Sequence, residues 1–190
     1  MEPHLSALAA LRIAVFREWP YLYDGSAANE QDYLATLAAS PGAGLAVAFA
    51  DETPVGCSTC LPLAEADAAV TAPFATRGWD PGRFFYFGES VLLPRWRGQG
   101  VGVTFFLERE AHARRSSHAD YACFCAVRRP AVHLLRPADA VPLDAFWRRR
   151  GFVPYPDLVC TMRWKQVDSA ERVENALSFW IKPLRDVSLP

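Results

Sequence analysis

Three alternating glycines, Gly98, Gly100 and Gly102, separate an apolar run, Val91-Leu92-Leu93, from an amphipathic stretch that follows at once. No other feature restricts the fold of this chain so strongly. Glycine admits positive φ and lets main chain approach another body closely, so the segment reads as a tight strand-to-helix turn. The residues before it, RFFYFGESVLL (83–93), are aromatic and aliphatic and read as a long strand that Pro94 ends. A helix over about 100–116 is expected next, and YACFCAV (121–127) is a continuous apolar run that fits a strand buried on both faces. Strand, crossover helix and strand make a parallel pair with a right-handed connection.

The remaining elements fall around that unit. Leu5, Leu8, Leu11 and Val15 have helical spacing over 5–16, and Tyr33, Leu34 and Leu37 mark a second helix over 27–39. LAVAFADE (45–52) and PVGCSTCLPL (54–63) are close enough to form a hairpin. A helix over 64–77 is limited by Pro73. A proline-rich loop (128–142) leads to the helix LDAFWRRR, which Gly151 stops, and LVCTMRWK (158–165) reads as a strand. In the last 20 residues, SFWIKPL is expected to add an edge strand. The sum is an α/β chain with a mixed central sheet and flanking helices.

The chain has 190 residues, which suits one domain at roughly 100–200 residues per domain. Lys and Arg number 20 against 21 Asp and Glu, a balance that lacks the basic excess of a nucleic-acid footprint. No apolar run reaches the ~18 residues of a membrane span, and the acidic start with Arg12 inside the first apolar stretch is not a signal-peptide layout. Five cysteines, an odd count, suit a reducing compartment, so a cytoplasmic protein is expected. Cys57 and Cys60 are spaced like a metal or redox pair, but three residues apart on a strand they face opposite sides, and buried structural thiols are expected instead.

The glycine turn is also where chemistry is expected. Free N–H groups and the positive dipole end of the new helix form a cradle for a pyrophosphate. A Walker loop would need a Gly-Lys-Ser/Thr ending, which is missing. A dinucleotide fingerprint fails because Phe105 and Val103 occupy its third glycine position, counted from Gly100 and from Gly98. A third pattern fits. Arg95-x-x-Gly98-x-Gly100 and Arg97-x-x-Gly100-x-Gly102 both resemble the coenzyme A motif of the GNAT acetyltransferase superfamily. The aliphatic residues and Pro94 before it fit as well, as does FWRRRGF (146–152), and the resemblance spans about residues 45–165.

The resemblance implies a GNAT fold, a mixed sheet whose parallel pair splays around the coenzyme site, and a reaction in which acetyl-CoA acetylates an amine without a metal. It implies that Arg97 and the backbone amides of Gly98, Gln99, Gly100, Val101, Gly102 and Val103 hold the pyrophosphate, and that Val91 and Leu92 hold the pantetheine arm and polarise the thioester. A base is useful because a protonated amine cannot attack. Glu89, the acidic residue in the strand beside the thioester, is the expected base, its facing subject to strand alternation. Trp147 stands where the family often has a tyrosine that protonates the leaving thiolate, and Tyr155 or Cys125 are its replacements. Arg128 and Arg129 stand where an asparagine often holds the coenzyme; they either meet its phosphates or cap the strand end, and His133 reads as a loop histidine. Tyr21, Tyr23 and Asp24 are expected to wall the acceptor site, for a small-molecule or peptide amine. Neither a membrane nor a nucleic-acid partner is expected, and a homodimer is compatible with the chain. The alternative reading is a non-catalytic acyl-CoA-binding or regulatory domain on the same fold.

Overall fold

The computed structural model describes residues 4–190. Helices α1 (Leu5–Phe16) and α2 (Ala27–Ala39) precede a hairpin of β1 (Gly44–Ala50) and β2 (Thr53–Pro62). Next come α3 (Ala68–Thr76), β3 (Phe84–Leu92), α4 (Val101–Ser116), β4 (Tyr121–Val127), α5 (Asp144–Arg149), β5 (Val153–Lys165) and β6 (Arg172–Pro183). Local chemistry sets several boundaries. The Ser26 hydroxyl accepts from the Asn29 amide at the start of α2, and the Asp67 carboxylate accepts from Ala69 at the start of α3. The helix expected over 64–77 divides into a 3-10 turn, Leu63–Glu65, and α3, with Pro73 inside it.

The six strands form one sheet in the order β1-β2-β3-β4-β6-β5. Only β3 and β4 are parallel, as the crossover predicts. Successive β3 side chains serve opposite faces. Phe84 and Tyr86 join a core with Val70 and Phe74 of α3 and Leu37 of α2. Phe85 and Phe87 join a core with Phe106 and Ala113 of α4, against which Phe146 and Trp147 of α5 pack. Leu8 and Leu11 of α1 and Leu34 of α2 cover Cys57 and Val91 beyond the first of these cores. The sheet thus carries α1, α2 and α3 on one face and α4 and α5 on the other. Cys57 and Cys60 point to opposite faces, as strand periodicity requires, and all five cysteines are free and buried.

The C-terminal segment corrects the expectation of an edge strand. β6 lies between β4 and β5, paired antiparallel to both, and β5 is the edge. Phe179, Trp180 and Ile181 are all buried, which needs a strand covered on both faces. Among the described residues no helix is long and apolar enough to cross a membrane.

Candidate functional site

Two features of β3 shape the site. The first is a bulge. Cys60 faces Phe87 and Ser58 faces Ser90, so β3 takes three steps where β2 takes two, and the extra residue falls at Gly88-Glu89. The second is a fork. The parallel register joins Phe84–Tyr86 to Tyr121–Cys123 and goes no further, so the edge of β3 that faced β4 runs unpaired from Phe87 to Leu92. The chain then turns through Pro94–Trp96 into the glycine segment.

That segment adopts the conformation its glycines allow. Gly98 and Gly100 have φ of 74° and 87°, and Gly100 is the N-cap of α4. A Cβ added at either would meet nothing within 4 Å, so the loop is open on its outer side. Val103 and Thr104 donate to the Gly100 carbonyl, whereas the amides of Gly98, Gln99, Gly100, Val101 and Gly102 have no acceptor among the described residues. A Cβ added at Gly102 would instead stand 3.6 Å from the Phe146 ring. Five unsatisfied donors at a helix N-terminus fit a diphosphate. The Arg97 side chain is fastened elsewhere: it donates to the Leu92 carbonyl at 3.0 Å and to Glu18 at 3.0 Å, pinning the loop to the end of β3 and to the end of α1. Gln99 bonds the Arg95 carbonyl.

Glu89 points to the α1–α2 face and is buried in a network that the sequence did not reveal. Arg12 of α1 pairs with both Glu89 and Glu30 of α2. Tyr33 donates to Glu89 Oε2 at 2.5 Å and Thr59 donates to the same oxygen at 2.8 Å. The Arg12 guanidinium also lies 4.0 Å from the centroid of the Tyr33 ring. Burial and the Glu89 charge push the Tyr33 phenol up, out of its ordinary range. Gly88 is required here for space, since a Cβ would come within 2.6 Å of Thr59 Oγ1. From the other face, buried Arg109 of α4 reaches the Glu89 carbonyl at 3.4 Å while lying between the Phe87 and Phe106 rings, each 4.6 Å away. Burial lowers its pKa to about 10. Bulge and carboxylate are therefore held from both sides of the sheet. The sequence signal was Arg12 itself, one turn from Leu8 on the apolar face of α1.

The loop between α1 and α2 closes over the same face, stitched to the ends of β4 and β5. Arg129, just past β4, donates to the carbonyls of Pro20 (2.6 Å) and Tyr21 (2.8 Å), and the Trp164 indole N–H also donates to Tyr21 O. The Trp19–Pro20 peptide is cis. Tyr21 directs its ring inward against Phe16 and Trp164. Tyr23 bridges to Gln166 and covers Gly25, and Asp24 pairs with Arg17 and Lys165, with Lys165 first in holding its carboxyl below the usual range. Tyr21 is thus inward and Tyr23 and Asp24 lie at the rim. Arg128 donates to the Pro156 carbonyl, so both arginines are committed to main-chain carbonyls. His133 packs on Trp19. Trp147 is packed with Phe124 and Trp180 on the α4–α5 face, and Tyr155 lies against Trp79, its hydroxyl on the Pro190 carbonyl.

No protein-family model matches the chain and no curated protein matches it in sequence. Solved structures share its fold. The ribosomal-protein-alanine N-acetyltransferase of Brucella melitensis is 16% identical with a TM-score of 0.62, over 96% of each chain. GphF, a GNAT-like decarboxylase in complex with isobutyryl-CoA, is 18% identical with a TM-score of 0.61, over 97% of each chain. The protein yncA of Salmonella typhimurium, with its cofactor acetyl-CoA, is 14% identical with a TM-score of 0.57, over 100% of this chain and 94% of its own. At these identities the likeness is one of fold.

Proposed function

From a chain that has the fold of the GNAT acetyltransferases, we propose an acetyl-CoA-dependent N-acetyltransferase, which passes an acetyl group to a primary amine by direct attack on the thioester. The observation that carries this reading is the row of unsatisfied amides from Gly98 to Gly102 at the N-terminus of α4, at the end of a strand whose edge is unpaired from Phe87 to Leu92. The amides receive the pyrophosphate. The free edge of β3, with Val91 and Leu92 nearest the cradle, hydrogen-bonds the pantetheine arm and orients the thioester carbonyl. Tyr21, Tyr23 and Asp24 form the acceptor side, which Arg129 holds in place. Five free thiols suit a cytoplasmic setting.

Glu89 is the expected base, and its surroundings favour a different task. Its carboxylate is engaged by Arg12, Tyr33 and Thr59. A group so fastened anchors the bulge, and deprotonation of the amine falls to water or to the amine's own equilibrium. Glu89→Gln separates the two roles. As an anchor its loss lowers the melting temperature and leaves the pH profile of turnover unchanged; as a base its loss lowers the neutral-pH rate by about 10²–10⁴-fold.

Acetyl-CoA binding to the native state alone raises stability by about 2.7 kcal/mol at a concentration of 100 Kd. The test is a melting curve with millimolar acetyl-CoA, followed by coenzyme A release with a panel of amines. No shift overturns the coenzyme assignment. A shift without release for any amine favours a non-catalytic acyl-CoA-binding domain.

A further inference from the structure

The hairpin turn between β1 and β2 and the turn that follows β3 meet at one end of the sheet, on the side of β3 away from the fork. Gly56 pairs with Leu92, and the Leu93 amide donates to the Val55 carbonyl at 3.0 Å, which brings the start of β2 beside Pro94–Trp96. Between the two turns lies an open cleft of about 340 Å³, lined by Ala50, Asp51, Thr53, Arg95 and Trp96. None of these side chains takes part in the transfer proposed above. The volume is at the small end of the roughly 300–1,000 Å³ of ligand clefts, which suits a small metabolite.

The polar groups of the cleft lack protein partners. Asp51 and Arg95 carry opposite charges and line the same space, yet among the described residues neither forms an ion pair, with the other or with a third group. The Trp96 indole N–H is buried and has no acceptor, a costly condition for a donor. The Arg95 guanidinium lies over the Trp96 ring, 5.4 Å from its centroid, so cation and indole are held together. A lone anion fits poorly, because Asp51 repels it, and a lone cation leaves Arg95 and the indole N–H unanswered. A molecule with both signs on neighbouring atoms satisfies the whole set. Its carboxylate accepts from Arg95 and the indole, its ammonium donates to Asp51, and the Thr53 hydroxyl can bond either. Ala50 and the Trp96 ring supply an apolar wall for a short side chain.

We propose that this cleft is a second binding site, which takes a free α-amino acid with a small apolar side chain. Binding there requires neither the coenzyme nor any chemistry at the fork. The Arg95 carbonyl accepts from the Gln99 side chain, so the amino acid sits on the turn that carries the glycine segment.

The probe is L-valine, titrated while the assigned indole N–H signals are followed in proton–nitrogen correlation spectra. The Trp96 signal should move downfield as its N–H gains an acceptor, and saturate with a midpoint on the order of 1 mM. Isovalerate, which lacks the ammonium, and isobutylamine, which lacks the carboxylate, should each bind about 10-fold more weakly or worse. Asp51→Asn removes the charge and keeps the turn, because asparagine tolerates the φ of 52° as aspartate does. That variant should lose the preference for valine over isovalerate, and Arg95→Gln should lose the preference for valine over isobutylamine. An unmoved Trp96 signal overturns the proposal, as does an equal response of wild type to valine and isovalerate. Movement of the Trp19 or Trp164 signal in place of Trp96 puts the amino acid on the acceptor side and overturns it too. If acetyl-CoA itself moves the Trp96 signal and blocks valine, the cleft belongs to the coenzyme and the second site is refuted.

Discussion

Arg12 sits in the apolar stripe of α1 and is 7% exposed, between two carboxylates that α2 and β3 bring to it. Such a group contributes little as an ion pair and a great deal as a partner, because its removal leaves Glu30 and Glu89 buried without a cation. Arg12→Met should therefore destabilise the fold by about 3–5 kcal/mol in urea unfolding, although methionine fills much of the space and is apolar. A loss below about 1 kcal/mol would show that the network is solvated. The buried thiols make a second residue-scale prediction. Burial pushes the Cys57 and Cys60 thiols up to about 12, and holds the Cys123 thiol well above its ordinary range. Above pH 9 the unfolded chain loses these protons and the native state keeps them. The unfolded state then binds fewer protons, and stability falls as pH rises. Unfolding at pH 8 and at pH 10.5 should show a clear loss at the higher pH, with a slope approaching ~1.4 kcal/mol per pH unit for each thiol. Cys57→Ala should reduce that slope, and equal stability at both pH values would contradict the burial.

At the scale of elements, the strand-turn-helix unit was legible because each part of it is local. Glycine at positions of positive φ, proline at the strand end and apolar periodicity all act within a few residues. Gly100→Val tests the turn. The position has φ of 87° and open space outside it, so the cost is backbone strain of about 1–3 kcal/mol and not a core clash. The fold should survive by circular dichroism while the acetyl-CoA melting shift is lost; an undiminished shift would show that the loop is only a turn. The bulge at Gly88-Glu89 was not legible. Strand alternation gives a side chain's face only where the register is regular, and one inserted residue resets it. The expected 64–77 helix forms only from Ala68 to Thr76, for a local reason of its own: Pro62 and Asp67 bracket a separate 3-10 turn before α3 begins.

At the scale of the molecule, β6 decides the architecture. It joins β4 to β5 and brings Leu177, Phe179, Trp180 and Ile181 into the cores. A chain ended at Ala170 should lose cooperative unfolding, because β4 and β5 would each lose a paired neighbour and bury less apolar surface; a sharp melting transition in that truncation would show β6 to be accessory. The sequence by itself determined the class of the fold, the parallel pair with its crossover helix, and the glycine turn that opens α4. All of these follow from backbone chemistry within short segments. Only the tertiary structure decided where β6 pairs, that Arg129 binds the loop of Tyr21, that Glu89 is enclosed by Arg12, Tyr33 and Thr59, and that Tyr86 meets Cys125 at the fork. Those contacts join residues up to about a hundred positions apart. No local propensity encodes such a meeting, which exists only once the sheet has set its register and the helices have closed over it.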